Sequence, residues 1–155
     1  MSFDLKLGNN LSNFAFLEHD IAFDGAGRVV QVSGVHKLEQ DIQKILFTSV
    51  NNFYNEYGTS IESLIGQKNT VQALKDALSS QTLEAISYLK GLQDAQSRYQ
   101  AVDANEIIGQ IIKVTVDYLF EITSNSNDAT TYRVTIVVQN LAGKTVTSNR
   151  NVSLD

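Results

Sequence analysis

Two successive runs in the last third of the chain leave little choice of backbone conformation. In the first, Val114, Val116, Tyr118, Phe120 and Ile122 alternate with Lys113, Thr115, Asp117, Leu119 and Glu121. The second, Tyr132, Val134, Ile136 and Val138, follows the polar stretch from Ser124 to Ala129. A period of two sends successive side chains to opposite faces, so each run is a half-buried strand, and the first is unusually long. Asn140 to Gly143 then turns the chain into a thinner strand, Lys144 to Leu154, whose inward positions offer little beyond Val146 and Val152. That strand belongs at the edge of an antiparallel three-strand meander.

Upstream the period becomes helical. Val35, Leu38, Ile42, Ile45 and Leu46 recur at three- and four-residue steps, with Glu39, Gln40, Asp41, Gln43 and Lys44 opposite them, which predicts an amphipathic helix. A second stripe, Val71, Leu74, Leu78, Ala85, Ile86, Leu89, Leu92 and Tyr99, is interrupted by Thr82 and Gln96. It predicts a long helix from about Thr70, its N-cap, to Ala101, on the order of 45 Å if unbroken, with Ser79 and Ser80 as the place for a bend. Between the helices, Thr59 or Ser60 is expected to cap a short turn holding Ile61, Leu64 and Ile65, closed by Gly66. Asp103 and Glu106 form a relative of the capping box that would start a turn through Ile107 and Ile108, ended by Gly109.

The first thirty residues suggest short strands: Phe3, Leu5 and Leu7, then Phe14 and Phe16, then Ile21 and Phe23, then Val30 and Val32. Asp24 to Gly27 suits a hairpin turn. A phosphate loop fails there on spacing, because the third glycine of a dinucleotide fingerprint would fall at Val30 with no helix opening. The expected class is therefore α+β: N-terminal short strands, two main helices of which one is long, and a C-terminal antiparallel three-strand meander with an open edge, in a single domain over 1–155.

Composition excludes several functions. A net charge of -5 with only 12 basic residues, scattered, opposes a phosphate-binding surface, so no nucleic-acid partner is expected. Without cysteine there is no disulfide, thiolate ligand or cysteine nucleophile. No apolar run approaches the roughly 20 residues of a bilayer span, and the opening MSFDLKLGNN lacks the regions of a secretory signal, so folding in the cytoplasm and no membrane partner are expected. No proline is present, so turns fall to Gly, Asn, Asp and Ser.

Few residues invite chemistry. A glycosidase needs two carboxylates across a cleft, one in apolar surroundings. Glu56, among Phe53, Tyr54 and Tyr57, is the only acid with such neighbours in sequence, and it is better suited to accepting backbone N–H bonds at the following turn or to pairing with a partner chain. Glu18 and Asp20 flank His19 without forming a cleft, and His19 and His36 lack ligand spacing. His36 suits the first turn of a helix. No enzyme activity, cofactor or metal is expected. The terminal strand has the stronger motive, since its Thr-, Ser- and Asn-rich rim from Thr145 to Asn151 would present unpaired backbone groups, blunted only by Lys144 and Arg150.

The aromatic loop by itself reads as a core plug. In order, however, Leu38, Gln40, Asp41, Ile42, Lys44, Ile45, Leu46 and Thr48, then Phe53, Tyr54, Glu56, Tyr57, Gly58 and Thr59, then Ser63 to Gly66, make a pattern that resembles the baseplate wedge and tail-sheath initiator family of contractile phage tails and related injection systems, sometimes labelled lysozyme-like. The resemblance spans most of the chain and is weakest in the first thirty residues. It implies a structural component of a virion tail baseplate, assembled in the host cytoplasm, that links the wedge to the first tail-sheath ring and initiates the sheath by β-strand addition. The implied partners are the tail sheath protein and other baseplate wedge proteins, with tail tube or hub proteins beyond them. Partner contacts would fall on Phe53, Tyr54, Glu56 and Tyr57, and on the rim at Thr145, Val146, Thr147, Ser148 and Arg150. The family's Glu-Pro-Arg tripeptide is missing from Ser97 to Glu106, so Arg98, Tyr99, Gln100 and Glu106 stand as positional counterparts only. The rival classes are a peptidoglycan-cleaving hydrolase and an unrelated soluble adaptor domain.

Overall fold

The computed structural model describes residues 4–5, 26, 31–50, 57–65, 70–119 and 131–154. Their order is β1 (Asp4–Leu5), β2 (Gln31–Val32), α1 (Val35–Phe47), a short 3-10 turn (Ile61–Leu64), α2 (Val71–Ser97), β3 (Ile108–Leu119), β4 (Thr131–Asn140) and β5 (Thr145–Ser153). β1 pairs antiparallel with β2, and β3, β4 and β5 form the expected meander in that order. The other proposed N-terminal strands, and the glycines of the Asp24–Gly27 turn, lie outside the described residues.

Both helices pack on one face of the meander, α2 along β3 and α1 along β5. Leu38, Ile42, Ile45 and Leu46 from α1 and Leu74, Leu78, Ala85, Ile86 and Leu89 from α2 meet Tyr132, Val134, Ile136, Val138, Val146 and Val152. This two-layer burial of a helical stripe against alternating strand residues follows from the two periods in the sequence. The sheet's other face is polar, with Lys113, Asp117, Arg133, Thr147 and Asn149 all exposed.

The long helix is continuous through Ser79 and Ser80, and Thr70 caps it by accepting the Ala73 N–H at 3.2 Å. Its buried stripe runs through Thr82 and ends on Gln93, while Val71, Leu92 and Tyr99, expected inside, are 45, 42 and 91 % exposed. Leu92 sits about 100° around the helix from Gln93, which turns it off the sheet. The turn from Ile61 also differs from expectation. Ser60 precedes it without a side-chain cap, Thr59 Oγ1 is 3.5 Å from the Leu46 carbonyl instead, and Ile65 is exposed.

The expected turn through Ile107 and Ile108 is absent, because β3 already begins at Ile108. Asp103 accepts the Asn105 N–H at 2.8 Å, and Glu106 reaches across the fold to the N–H of Gly34, the N-cap of α1, at 3.0 Å, which is the bond a Glu or Gln at the third helical position makes in a capping box and which Lys37, standing there, cannot. Gln93 closes the same region. Its Nε2 donates to the Glu106 carbonyl at 3.0 Å and its Oε1 accepts the Ile108 N–H at 2.9 Å, so one amide from α2 satisfies two backbone groups at the head of β3. The β4–β5 turn is fastened there too, through Leu141 N–H to the Ile107 carbonyl and Ala142 N–H to the Ala104 carbonyl.

Candidate partner-binding edge

The meander has two outer strands, and they differ. β3 slips register against β4 twice, between Ile108 and Gln110 and between Ile111 and Lys113, leaving Gly109 and Ile112 as extra residues. A Cβ on Gly109 would lie 3.2 Å from the Asn140 carbonyl, so the first bulge brings backbone close to backbone. Bulges twist and interrupt an edge, which protects it from further pairing. β5, in contrast, pairs with β4 over nine consecutive positions, from Thr131↔Ser153 to Gln139↔Thr145, without a shift.

The register fixes which backbone groups of β5 face outward. Asn140 N–H donates to the Lys144 carbonyl at 2.9 Å, closing a hydrogen-bonded pair. Counting by twos along an antiparallel ladder makes Val138/Val146, Ile136/Ser148, Val134/Arg150 and Tyr132/Val152 hydrogen-bonded pairs as well. Thr145, Thr147, Asn149 and Asn151 therefore turn their N–H and C=O away from β4. Among the described residues no strand lies beyond β5.

The same parity sends alternate side chains inward. Val146, Ser148 and Val152 are buried, and Arg150 is half-buried in the same row, so it does not blunt the rim as expected. Its guanidinium lies over the Phe47 ring at the end of α1, 4.7 Å from the centroid. Nε and Nη1 are withdrawn from solvent without a hydrogen-bond partner, and the Ser148 hydroxyl beneath β4 has none either. Burial pushes the Arg150 pKa down from the ordinary guanidinium value to about 10, and the charge of Glu62 only partly offsets this.

In the window that opens at about pH 10 the unfolded chain binds more protons at this residue than the folded chain. The destabilisation is therefore fully present below about pH 10 and is relieved as pH rises through that window. Replacing the charge with methionine, the longest unbranched apolar side chain, removes it. Arg150→Met is expected to stabilise the isolated protein at pH 7 by about 1–2 kcal/mol, measured from the urea midpoint. A destabilised variant would mean that the stacking on Phe47 outweighs the cost of burial.

The remaining expected contact residues are dispersed. Phe53, Tyr54 and Glu56 lie outside the described residues, and Tyr57 packs partly buried against the core. Arg98, Tyr99 and Gln100 are exposed just past α2. Glu106, placed with them by position, is instead 1 % exposed and turned inward, with Lys37 Nζ 3.9 Å from its second oxygen. Thr145 and Thr147 are exposed on the outer face. His36 is an exposed first-turn residue of α1, 3.4 Å from Glu39. Among the described residues no cluster of three or more His, Cys, Asp or Glu is placed to hold a metal ion, and no helix is long and apolar enough to cross a membrane.

Sequence reasoning missed Gln93, whose signal was its place four residues on from Leu89 and seven from Ile86 in the buried stripe, and the inward aim of Arg150, which parity with Val146 and Val152 already carried. Comparison of the chain with known protein families, with curated proteins and with solved structures gives no match.

Proposed function

We propose that the chain is a structural, non-enzymatic component of a contractile-tail baseplate, which joins the wedge to the first sheath ring and starts the sheath by receiving a strand at β5. The observation that carries this reading is the unshifted ladder of β5, whose outer backbone groups are ordered for further pairing on the side away from β4. The sequence pattern from Leu38 to Gly66 gives the reading its setting in a tail baseplate. The exposed end of α2 and the residues just past it, with Leu92 and Tyr99 at the surface, supply an apolar contact for wedge proteins. Localisation in the virion tail and pairing with sheath arms follow from the same reading.

Removing the whole terminal strand is a poor test, because Val146, Val152 and Leu154 belong to the core. Asn149→Pro is a better one. Proline deletes an outward N–H and sets its ring on the rim, while the ladder to β4 keeps its bonds. Baseplates carrying Asn149→Pro are expected to assemble intact and to lack polymerised sheath in electron micrographs, with the purified variant within about 1 kcal/mol of the parent. Normal sheaths on those baseplates would overturn strand reception.

A further inference from the structure

Arg150 raises a question that the edge alone does not answer. A charge pointing inward from an outer strand ordinarily discourages pairing, because an added strand would seal it in unpaired. This rim is therefore ordered for pairing and at the same time guarded by a half-buried cation whose Nε and Nη1 lack partners.

The register resolves the conflict. Arg150 directs its own backbone bonds to Val134, so on its other side it would face the added strand at a non-hydrogen-bonded position, where opposed side chains approach most closely. Cβ atoms of such a pair stand roughly 4.5–5.5 Å apart, within reach of a guanidinium and a carboxylate. Both side chains would lie on the helix-covered face beside Phe47.

We propose that Arg150 selects the strand that β5 receives, admitting an extended segment that places an aspartate or glutamate directly opposite it. This rests on the reading of β5 as a receiving edge and names the chemistry of the partner. The two flanking inward positions, opposite Ser148 and Val152, take small or apolar side chains, since both lie in the buried row. The filter also acts against self-association. The β5 sequence TVTSNRNVS contains no acid, so two copies of the strand paired with each other over those nine residues bring Arg150 no carboxylate.

The test uses the full chain and two synthetic nonapeptides, Lys-Thr-Val-Thr-Glu-Thr-Val-Thr-Lys and the same peptide with Gln for Glu, titrated by calorimetry and followed through the Arg150 Nε–H resonance. The Glu peptide is expected to bind at least about tenfold tighter than the Gln peptide, a ratio that one charge-assisted pair supplies, and to shift and sharpen the Nε–H signal. In Arg150→Met the preference should vanish with both peptides still binding, and in Asn149→Pro both should fail to bind. Equal affinity of the two peptides for the parent protein, both lost in Asn149→Pro, would overturn the carboxylate filter and leave strand reception standing. Glu-peptide binding that survives Asn149→Pro would overturn the filter too, because the acid would then reach Arg150 without strand addition. No binding of either peptide at millimolar concentration would overturn strand reception and the filter with it.

Discussion

Gly58→Ala is expected to cost the folded protein about 3–4 kcal/mol. Gly58 has φ +124°, a conformation that side chains rarely adopt, and a Cβ there would fall on the Thr48 carbonyl oxygen and 2.9 Å from the carbonyl carbons of Thr48 and Ser49. These are backbone atoms and cannot swing aside. The close approach exists because Thr59 N–H donates to the Thr48 carbonyl at 2.8 Å and Val50 N–H to the Thr59 carbonyl at 3.0 Å, which ties the chain leaving α1 to the chain entering the 3-10 turn. Strain of roughly 1–3 kcal/mol at the positive φ adds to a similar overpacking term. Because Phe47 ends α1 beside this tie, the displacement should also disturb the ring beneath Arg150. A urea midpoint corresponding to less than about 1 kcal/mol of loss would show that the segment relaxes without the tie.

Gln93→Leu is expected to cost about 3 kcal/mol despite adding apolar volume to a buried site. The substitution keeps a forked apolar end one atom nearer the backbone and removes both partners of the chain crossing above it, leaving the Ile108 N–H and the Glu106 carbonyl buried without hydrogen bonds. Each orphaned group costs roughly 1–3 kcal/mol. The matching local signature is faster hydrogen exchange at the Ile108 amide than at amides in the middle of β4. Unchanged stability with unchanged exchange would mean that water replaces the amide without loss.

Periodicity carried most of the fold. Val116, Val134 and Val138 on one side and the α1 stripe from Leu38 to Leu46 on the other were visible because each obeys a single local rule, two residues or three and four. Where two rules meet, the sequence is silent. The bulges at Gly109 and Ile112 let Ile108 and Ile111 share the inward row with Val114 although the spacings are three, so strict alternation starts too late. Glu106 resembled a local capping residue, yet its carboxylate is used 72 positions away in the chain, at Gly34. No window of neighbouring residues encodes such a contact. At the rim, the thin apolar content correctly marked β5 as outermost, while the length of the arginine side chain hid that its charge folds back over Phe47.

The fastening around Ala104, Glu106 and Ile108 has a mechanical consequence. It gathers the first turn of α1, the last turns of α2, the head of β3 and the turn between β4 and β5 into one knot. Tension drawn along β5 would load its hydrogen-bonded pairs together in shear and then pass through that knot into both helices, whereas tension across the sheet would unzip those pairs singly. The molecule is thus stiff along one axis and yielding along another, so the direction in which a neighbour pulls decides whether this domain holds or opens.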